Sequence, residues 1–425
     1  NVSKPGPKFK LIMRKVLLTI YFILAFFMMK SLVIADHANE PYCFNCMHKY
    51  KIGDKKNENF HKFEFNLQDN DLSKMVDEMI SDKKTGLVSY LLWEKNIILV
   101  DQNRKSKYRG GYYPSHSVGK SLVGLVTGYA LCGSYIDHTV FDRIDYPTVA
   151  STLYENQKLI NLLNMQAGDD GIIGERLYRK DNPIRGKSPN TNTIPIKKVM
   201  KKYFKDKQHL GLEPGLTYNY SALTTNVIMN YAIYKTGVDW EKLLHKVFIE
   251  DAKVEKRVYF GKTLNKNKVG NRKSGEYGRY SFYAQRYDYL RIAKLILDHW
   301  NNDTCVGKYL KTMYENRVEK NEGVRNKFEG NHTATQSYGG QFHFDPIDID
   351  RPILMMDGAY GQQVVIDFEN DKIITAHSTD RHYDYYSLIY LQLNPDLFYK
   401  PNNVQDKRKK CREYVNETQF ILRTC

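Results

Sequence analysis

An α+β fold is predicted: an antiparallel sheet flanked by helices and divided by a large, mostly helical insertion. Three observations carry the prediction. Near the start, 86–93 and 96–101 are β-rich runs joined by Glu94-Lys95, which reads as a hairpin. Near the end, 361–368 and 372–378 flank Glu369-Asn370-Asp371, a second hairpin. Between the two, apolar residues recur at helical spacing in several stretches, and no internal repeat is visible. Hairpins at both ends need no helical crossover, so the sheet they build is antiparallel.

The elements follow in chain order. Residues 69–82 place Leu72, Met75, Val76 and Met79 on one helical face ahead of the first hairpin. Residues 117–132 give a strong helix signal, with Val118, Leu122, Val123, Val126 and Ala130 apolar and Gly133 at the end. In the middle, 159–165 is a short apolar helix stopped by Gly168, 226–234 is helical up to Gly237, and 287–300 is helical. A closing helix suits 385–393. The chain divides into a targeting segment (1–35), a polar linker (36–66), one folded domain (67–400) and a basic tail (401–425). Within the domain, 67–134 and 347–400 supply the sheet part, and 135–346 the helical part.

The formal charge is +16, but lysine is scattered rather than striped, and no nucleic-acid motif is present. Biased composition accounts for the charge, and no nucleic-acid partner is expected. The N-terminus is more informative. Lys8, Lys10, Arg14 and Lys15 precede an uncharged apolar run, 16–29, which is followed by Lys30 and the small-residue end 31–35. That order reads as a secretory signal, because the run falls short of the ~20 residues of a spanning helix. An uncleaved anchor is the alternative, with Lys30 snorkelling. Both place the bulk of the chain outside the cytoplasm, periplasmic or secreted, and limit membrane contact to the N-terminal segment. Cys43 and Cys46 form a C-x-x-C with no second pair to complete a zinc site, so a short disulfide or free thiols are expected rather than metal. Cys411 and Cys425 bracket the tail, and Cys132 reads as a buried thiol in an apolar helix. Asn302, Asn331 and Asn416 head glycosylation sequons, used only where the cell has that machinery.

The stretch SHSVGKSLVG, 115–124, holds the chemistry. A phosphate-binding loop ending in Gly119-Lys120-Ser121 needs a glycine where Pro114 stands, so that reading fails. A G-x-S-x-G nucleophile elbow needs a glycine at Ser115 and a buried strand before it, whereas 104–114 reads as loop. His377 would then be the triad histidine. The third reading is S-x-x-K. Ser117 and Lys120 stand three apart at the start of a helix, so the amine reaches the hydroxyl on one face. The helix N-terminus offers a backbone N–H and a positive dipole to an oxyanion. An amine buried among apolar neighbours loses proton affinity and serves as a base. Ser81 and Lys84 match the same pattern, but at the end of a charged surface helix.

Three further segments join it in order. They are 159–168 (LINLLNMQAG), 214–221 (PGLTYNYS) and 358–363 (GAYGQQ), the last opening an apolar hairpin. With 115–124, this set resembles the serine β-lactamase-related hydrolases, the group of class C β-lactamases, D-alanyl-D-alanine carboxypeptidases, related esterases and 6-aminohexanoate-dimer hydrolase, over roughly 85–395. The resemblance implies a β-lactamase/transpeptidase-like fold. It also implies Ser117 as nucleophile, Lys120 as its activator and Tyr220 as general acid/base, with Tyr218 the competing tyrosine. The oxyanion hole would use the backbone N–H groups of Ser117 and Gln362, and Tyr360 and Gly361 would border the substrate. A small-molecule substrate is implied, with no metal or organic cofactor.

Two departures narrow the substrate. Ala222 stands two residues after the tyrosine, where β-lactamases of the family carry Asn. Ala359-Tyr360-Gly361 stands where they carry K-T-G or H-T-G. The literal K-T-G triplets, 84–86 and 235–237, lie elsewhere. Groups that hold a β-lactam are therefore missing, and an ester or small amide is expected. A catalytically inactive binding member of the same fold is the reading from another class. Oligomeric state is not legible.

Overall fold

The structure is a computed structural model, and it describes residues 48–104, 111–169, 195–206, 213–263, 276–320, 335–346, 349–380 and 382–394. The chain divides into two units, 1–47 and 48–425, and the described residues belong to the second. The apolar N-terminal run, Cys43, Cys46 and the basic tail lie outside them. No helix among the described residues is long and apolar enough to cross a membrane.

The two expected hairpins are present and pair with each other. Strands β3 (Leu87–Glu94) and β4 (Ile97–Asn103) are joined through Lys95 and Asn96, both at positive φ, the turn that matches the twist of paired strands. Strands β12 (Gln362–Asp367) and β13 (Lys372–Ser378) form the second hairpin. β13 lies antiparallel to β3, with Ile373 opposite Trp93 and Ala376 opposite Tyr90. Chain ends far apart in sequence thus close one sheet. Helix α1 (Asp71–Ser81) covers its outer face. A capping box between Asn70 and Ser73 starts that helix, and Val76 and Ile80 are buried.

The middle of the chain is less helical than expected. Strands β8 (Val318–Glu319), β9 (Thr335–Gly339), β10 (Phe342–Pro346) and β11 (Ile353–Gly358) extend the sheet to nine strands, ordered β2-β4-β3-β13-β12-β11-β10-β9-β8, with β2 at Glu64–Phe65. Every pairing in it is antiparallel except β2 with β4. A second, four-stranded sheet, β1-β6-β7-β5, uses β1 (His48–Lys56), β5 (Tyr112–Pro114), β6 (Lys256–Lys262) and β7 (Gly278–Gln285). Two sequence readings are corrected here. Residues 48–56, read as linker, are an edge strand whose Tyr50 and Ile52 point into the core. Residues 112–114, read as loop, are a strand paired to β7. Both are polar or short runs whose β structure comes from the partner strand rather than from their own pattern.

Helices α2 (Val118–Cys132), α3 (Ala222–Thr236), α4 (Arg286–Asn301) and α5 (Cys305–Glu315) fill the space between the sheets. α2 is buried on every side from Val118 to Ala130, as a central helix with apolar residues all round must be. Its glycines allow close approach. A Cβ on Gly119 would lie 1.9 Å from the Tyr280 carbonyl oxygen, and one on Gly124 would lie 2.2 Å from that of Gly340. Cys132, expected as a buried thiol, is disulfide-bonded to Cys305, joining the end of α2 to the start of α5. The closing segment is helical over Tyr386–Tyr390 and Leu391–Leu393, as expected.

Candidate active site

Ser117 stands where β5 turns into α2. The turn is fixed by exchange with β7: Ser115 N–H donates to the Phe282 carbonyl (2.8 Å) and Phe282 N–H donates to Ser115 Oγ (2.9 Å). His116 takes φ +47°, a left-handed conformation that is strained for a non-glycine residue. The chain then enters the helix at once. Ser117 is the N-cap residue, yet its hydroxyl makes no capping bond. Oγ instead accepts from Lys120 Nζ at 2.8 Å. The oxygen is therefore not taken up by the helix's own backbone N–H groups.

Lys120 is 2% exposed. Its Nζ lies 4.4 Å from the ring centroid of Tyr220 and 4.3 Å from that of Tyr280. Tyr280 was not among the residues expected at the site. The alternating aromatic run Tyr280, Phe282 on β7 was its only sequence signal, and the helical reading of the middle hid it.

Tyr220 immediately precedes the Ser221 N-cap of α3, whose hydroxyl accepts from Thr224 N–H. The segment before it is tied down on both sides. Asn219 N–H donates to the Met165 carbonyl (2.7 Å) and its side chain donates to Asp169 (2.9 Å). Asp169 is fully buried and also accepts from Tyr154 (3.0 Å) and Thr224 (2.8 Å). Removing that carboxylate would orphan three buried donors at about 1–3 kcal/mol each. The LINLLNMQAG segment with the aspartate that follows it is therefore the anchor for the tyrosine loop. Of the two candidate tyrosines, Tyr220 is the partly exposed one that faces Lys120, while Tyr218 is 2% exposed and packs on Tyr338.

The last strands close the other side. Gly358, at the end of β11, packs so tightly on the Ser115 carbonyl that a Cβ would lie 2.6 Å from it. Gly358 is paired with Gln362, which opens β12. The 358–362 turn thus abuts the Ser117 turn, and Tyr360, at φ +63°, sets its ring 5.1 Å from that of His116. Gly361 takes φ +83° in the same turn. Ser117 N–H finds no acceptor among the described residues.

His377 is not placed for a triad. It is buried, stacked on Tyr113 (4.5 Å) and packed on Tyr289, with Nδ1–H donating to Gln362 Oε1 at 3.2 Å. Burial, reinforced by the Arg286 charge, lowers its pKa to about 3, so the ring is neutral. No hydrogen bond joins it to Ser117 among the described residues, and the antiparallel sheet differs from the parallel one an α/β-hydrolase elbow follows. No cluster among the described residues has the donors to hold a metal ion.

By sequence, no family profile and no curated protein matches the chain. Solved structures do. A Bacillus anthracis protein assigned as a 6-aminohexanoate-dimer hydrolase superposes with a TM-score of 0.57 at 12% identity, over 87% of this chain and 95% of its own. EstCE1, a hydrolase with promiscuous acyltransferase activity, gives 0.53 at 11% identity over 77% and 98%. A D-stereospecific amidohydrolase from Streptomyces sp. gives 0.51 at 12% identity over 76% and 99%. By this likeness the chain has the fold of the serine β-lactamase-related hydrolases.

Proposed function

We propose that the protein is an exported serine hydrolase that forms an acyl-enzyme on an ester or small amide of a linear compound. The observation that carries the proposal is the 2.8 Å contact of Lys120 Nζ with Ser117 Oγ beneath the Tyr220 ring. The same geometry serves when the amine is neutral and Oγ–H donates to it, the state in which lysine accepts the proton. Ser117 Oγ then attacks the carbonyl carbon while Lys120 and Tyr220 take up its proton. The backbone N–H groups of Ser117 and Gln362 hold the oxyanion. Tyr220 passes that proton to the leaving group; water then attacks the acyl carbonyl, the bond to Ser117 Oγ breaks, and the proton lost by water returns to Oγ through the same two residues as the acid leaves. None of these steps calls on a metal or organic cofactor.

Ala222 and the uncharged Ala359-Tyr360-Gly361 turn disfavour β-lactams, which need a polar and a cationic group there. The Cys132–Cys305 disulfide supports an oxidising compartment, in line with the N-terminal signal. A fluorophosphonate probe tests the reading. Stoichiometric labelling of the intact protein, abolished in Ser117→Ala, is expected. Absence of labelling favours the inactive binding member instead, and labelling that survives the substitution overturns the Ser117 acyl-enzyme.

A further inference from the structure

Two non-glycine residues in the left-handed region lie side by side: His116 at φ +47° on the nucleophile turn and Tyr360 at φ +63° on the turn before β12. Glycine would adopt either conformation without strain. Aromatic side chains at both positions hold the rings 5.1 Å apart at a 53° tilt. The two rings differ in exposure. His116 is 7% exposed, whereas Tyr360 retains 41%, a large ring left open to solvent beside the candidate nucleophile. The backbone beneath is stiff, because Gly358 abuts the Ser115 carbonyl, Gly361 packs against Tyr383, and Tyr383 OH donates to the Gly361 carbonyl at 2.9 Å. An exposed ring on a rigid, strained turn is a preorganised stacking surface.

We infer that Tyr360, backed by His116, is a specificity-determining residue that stacks a planar aromatic group carried on the acyl side of the substrate. The inference rests on the acyl-enzyme reading and names the substrate class: aromatic-acyl or arylalkyl-acyl esters and amides. An acyl group whose carbonyl is held between the Ser117 and Gln362 N–H groups starts beside the 358–362 turn, because Gln362 ends that turn and Gly358 packs on the Ser115 carbonyl.

The test uses two small sulfonyl fluorides, phenylmethanesulfonyl fluoride and methanesulfonyl fluoride, which share a leaving group and differ in the ring. Their rates of attachment to Ser117 are read by intact mass for the wild-type chain and for Tyr360→Gly, Tyr360→Ala and Tyr360→Phe. Tyr360→Gly removes the ring and relieves the turn together, so agreement with Tyr360→Ala separates the loss of stacking from backbone strain. The expected result is a fall of about five-fold in the phenyl-to-methyl rate ratio for Gly and Ala, with Phe within two-fold of wild type. An unchanged ratio in both ring-deleted variants, with Ser117 still labelled, overturns the aromatic subsite alone. Failure of both probes to label wild-type Ser117 overturns the acyl-enzyme reading beneath it.

Discussion

Ser81-Asp82-Lys83-Lys84 and Ser117-Val118-Gly119-Lys120 are the same four-residue pattern in two settings. Ser81 is the last residue of α1, exposed, and the chain leaves the helix before Lys84 is reached. Lys84, also exposed, sits in the 3-10 turn Lys83–Thr85, where its backbone N–H donates to Asp82. Ser117 opens a helix instead, so Lys120 lies one turn along the same face and its nitrogen meets Oγ. The second difference is cover. α2 is enclosed by β7, the β9–β10 turn and α5, and two tyrosine rings close over the amine. A serine and a lysine three apart are common. A helix start and a water-excluding shell around them are not, and these turn proximity into a candidate site.

That contrast can be broken from its strongest side first. Lys120→Met is expected to lower the fluorophosphonate labelling rate by about 10²–10⁴-fold, the scale of a lost general base, with the fold retained by circular dichroism. A rate within three-fold of wild type would put the Lys120 contact on a par with the Ser81 pair.

Gly119→Ala attacks the cover rather than the chemistry. The added Cβ meets the Tyr280 carbonyl at 1.9 Å, and backbone on backbone has little room to yield. A loss of about 3 kcal/mol in denaturant unfolding is expected, although alanine is the better helix former by ~1 kcal/mol. A neutral or stabilising result would show that β7 does not press on the helix.

A smaller effect is expected from pH. Buried His377 binds a proton in the unfolded chain near 6.5 but in the folded chain only near 3. Between those values the unfolded state holds more protons, so stability is full above pH 6.5 and falls as pH drops towards 3. The slope is at most about 1.4 kcal/mol per pH unit. His377→Gln should flatten that arm in urea titrations at pH 4 to 7. An unchanged slope would move the acid sensitivity to other groups.

The smallest effect belongs to the other pair. Ser81→Ala and Lys84→Ala should each change stability by no more than about 0.5 kcal/mol and leave labelling at wild-type rate. A measurable loss of labelling in either would erase the distinction between the two settings.

The sequence carried both hairpins, the α2 helix and the Ser117–Lys120 register, because each is written in local spacing: period two with a turn, period 3.6 with a glycine stop, and three residues to a helical turn. It did not carry β1, β5 and the strands of the middle. Residues 48–56 are mostly charged and 112–114 are too few to show a period, so only pairing with β6 and β7 makes them strands. The β9–β10 hairpin did leave a mark, Gly340-Gln341 between runs of aromatics, with both residues at positive φ. The helical reading of the middle passed over it.

Local pattern by itself thus determined the two hairpins that pair within the large sheet, the helix that bears the serine, and the spacing that lets one lysine reach it. Tertiary structure decided which tyrosine ring faces that lysine, that Tyr280 joins it, that His377 is buried away from the serine, and that Cys132 finds Cys305 across 173 residues. The physical reason is range. A helical turn or a two-residue loop is settled by neighbours in the chain, whereas a site is a meeting of distant segments, and where they meet is fixed by packing of the whole core.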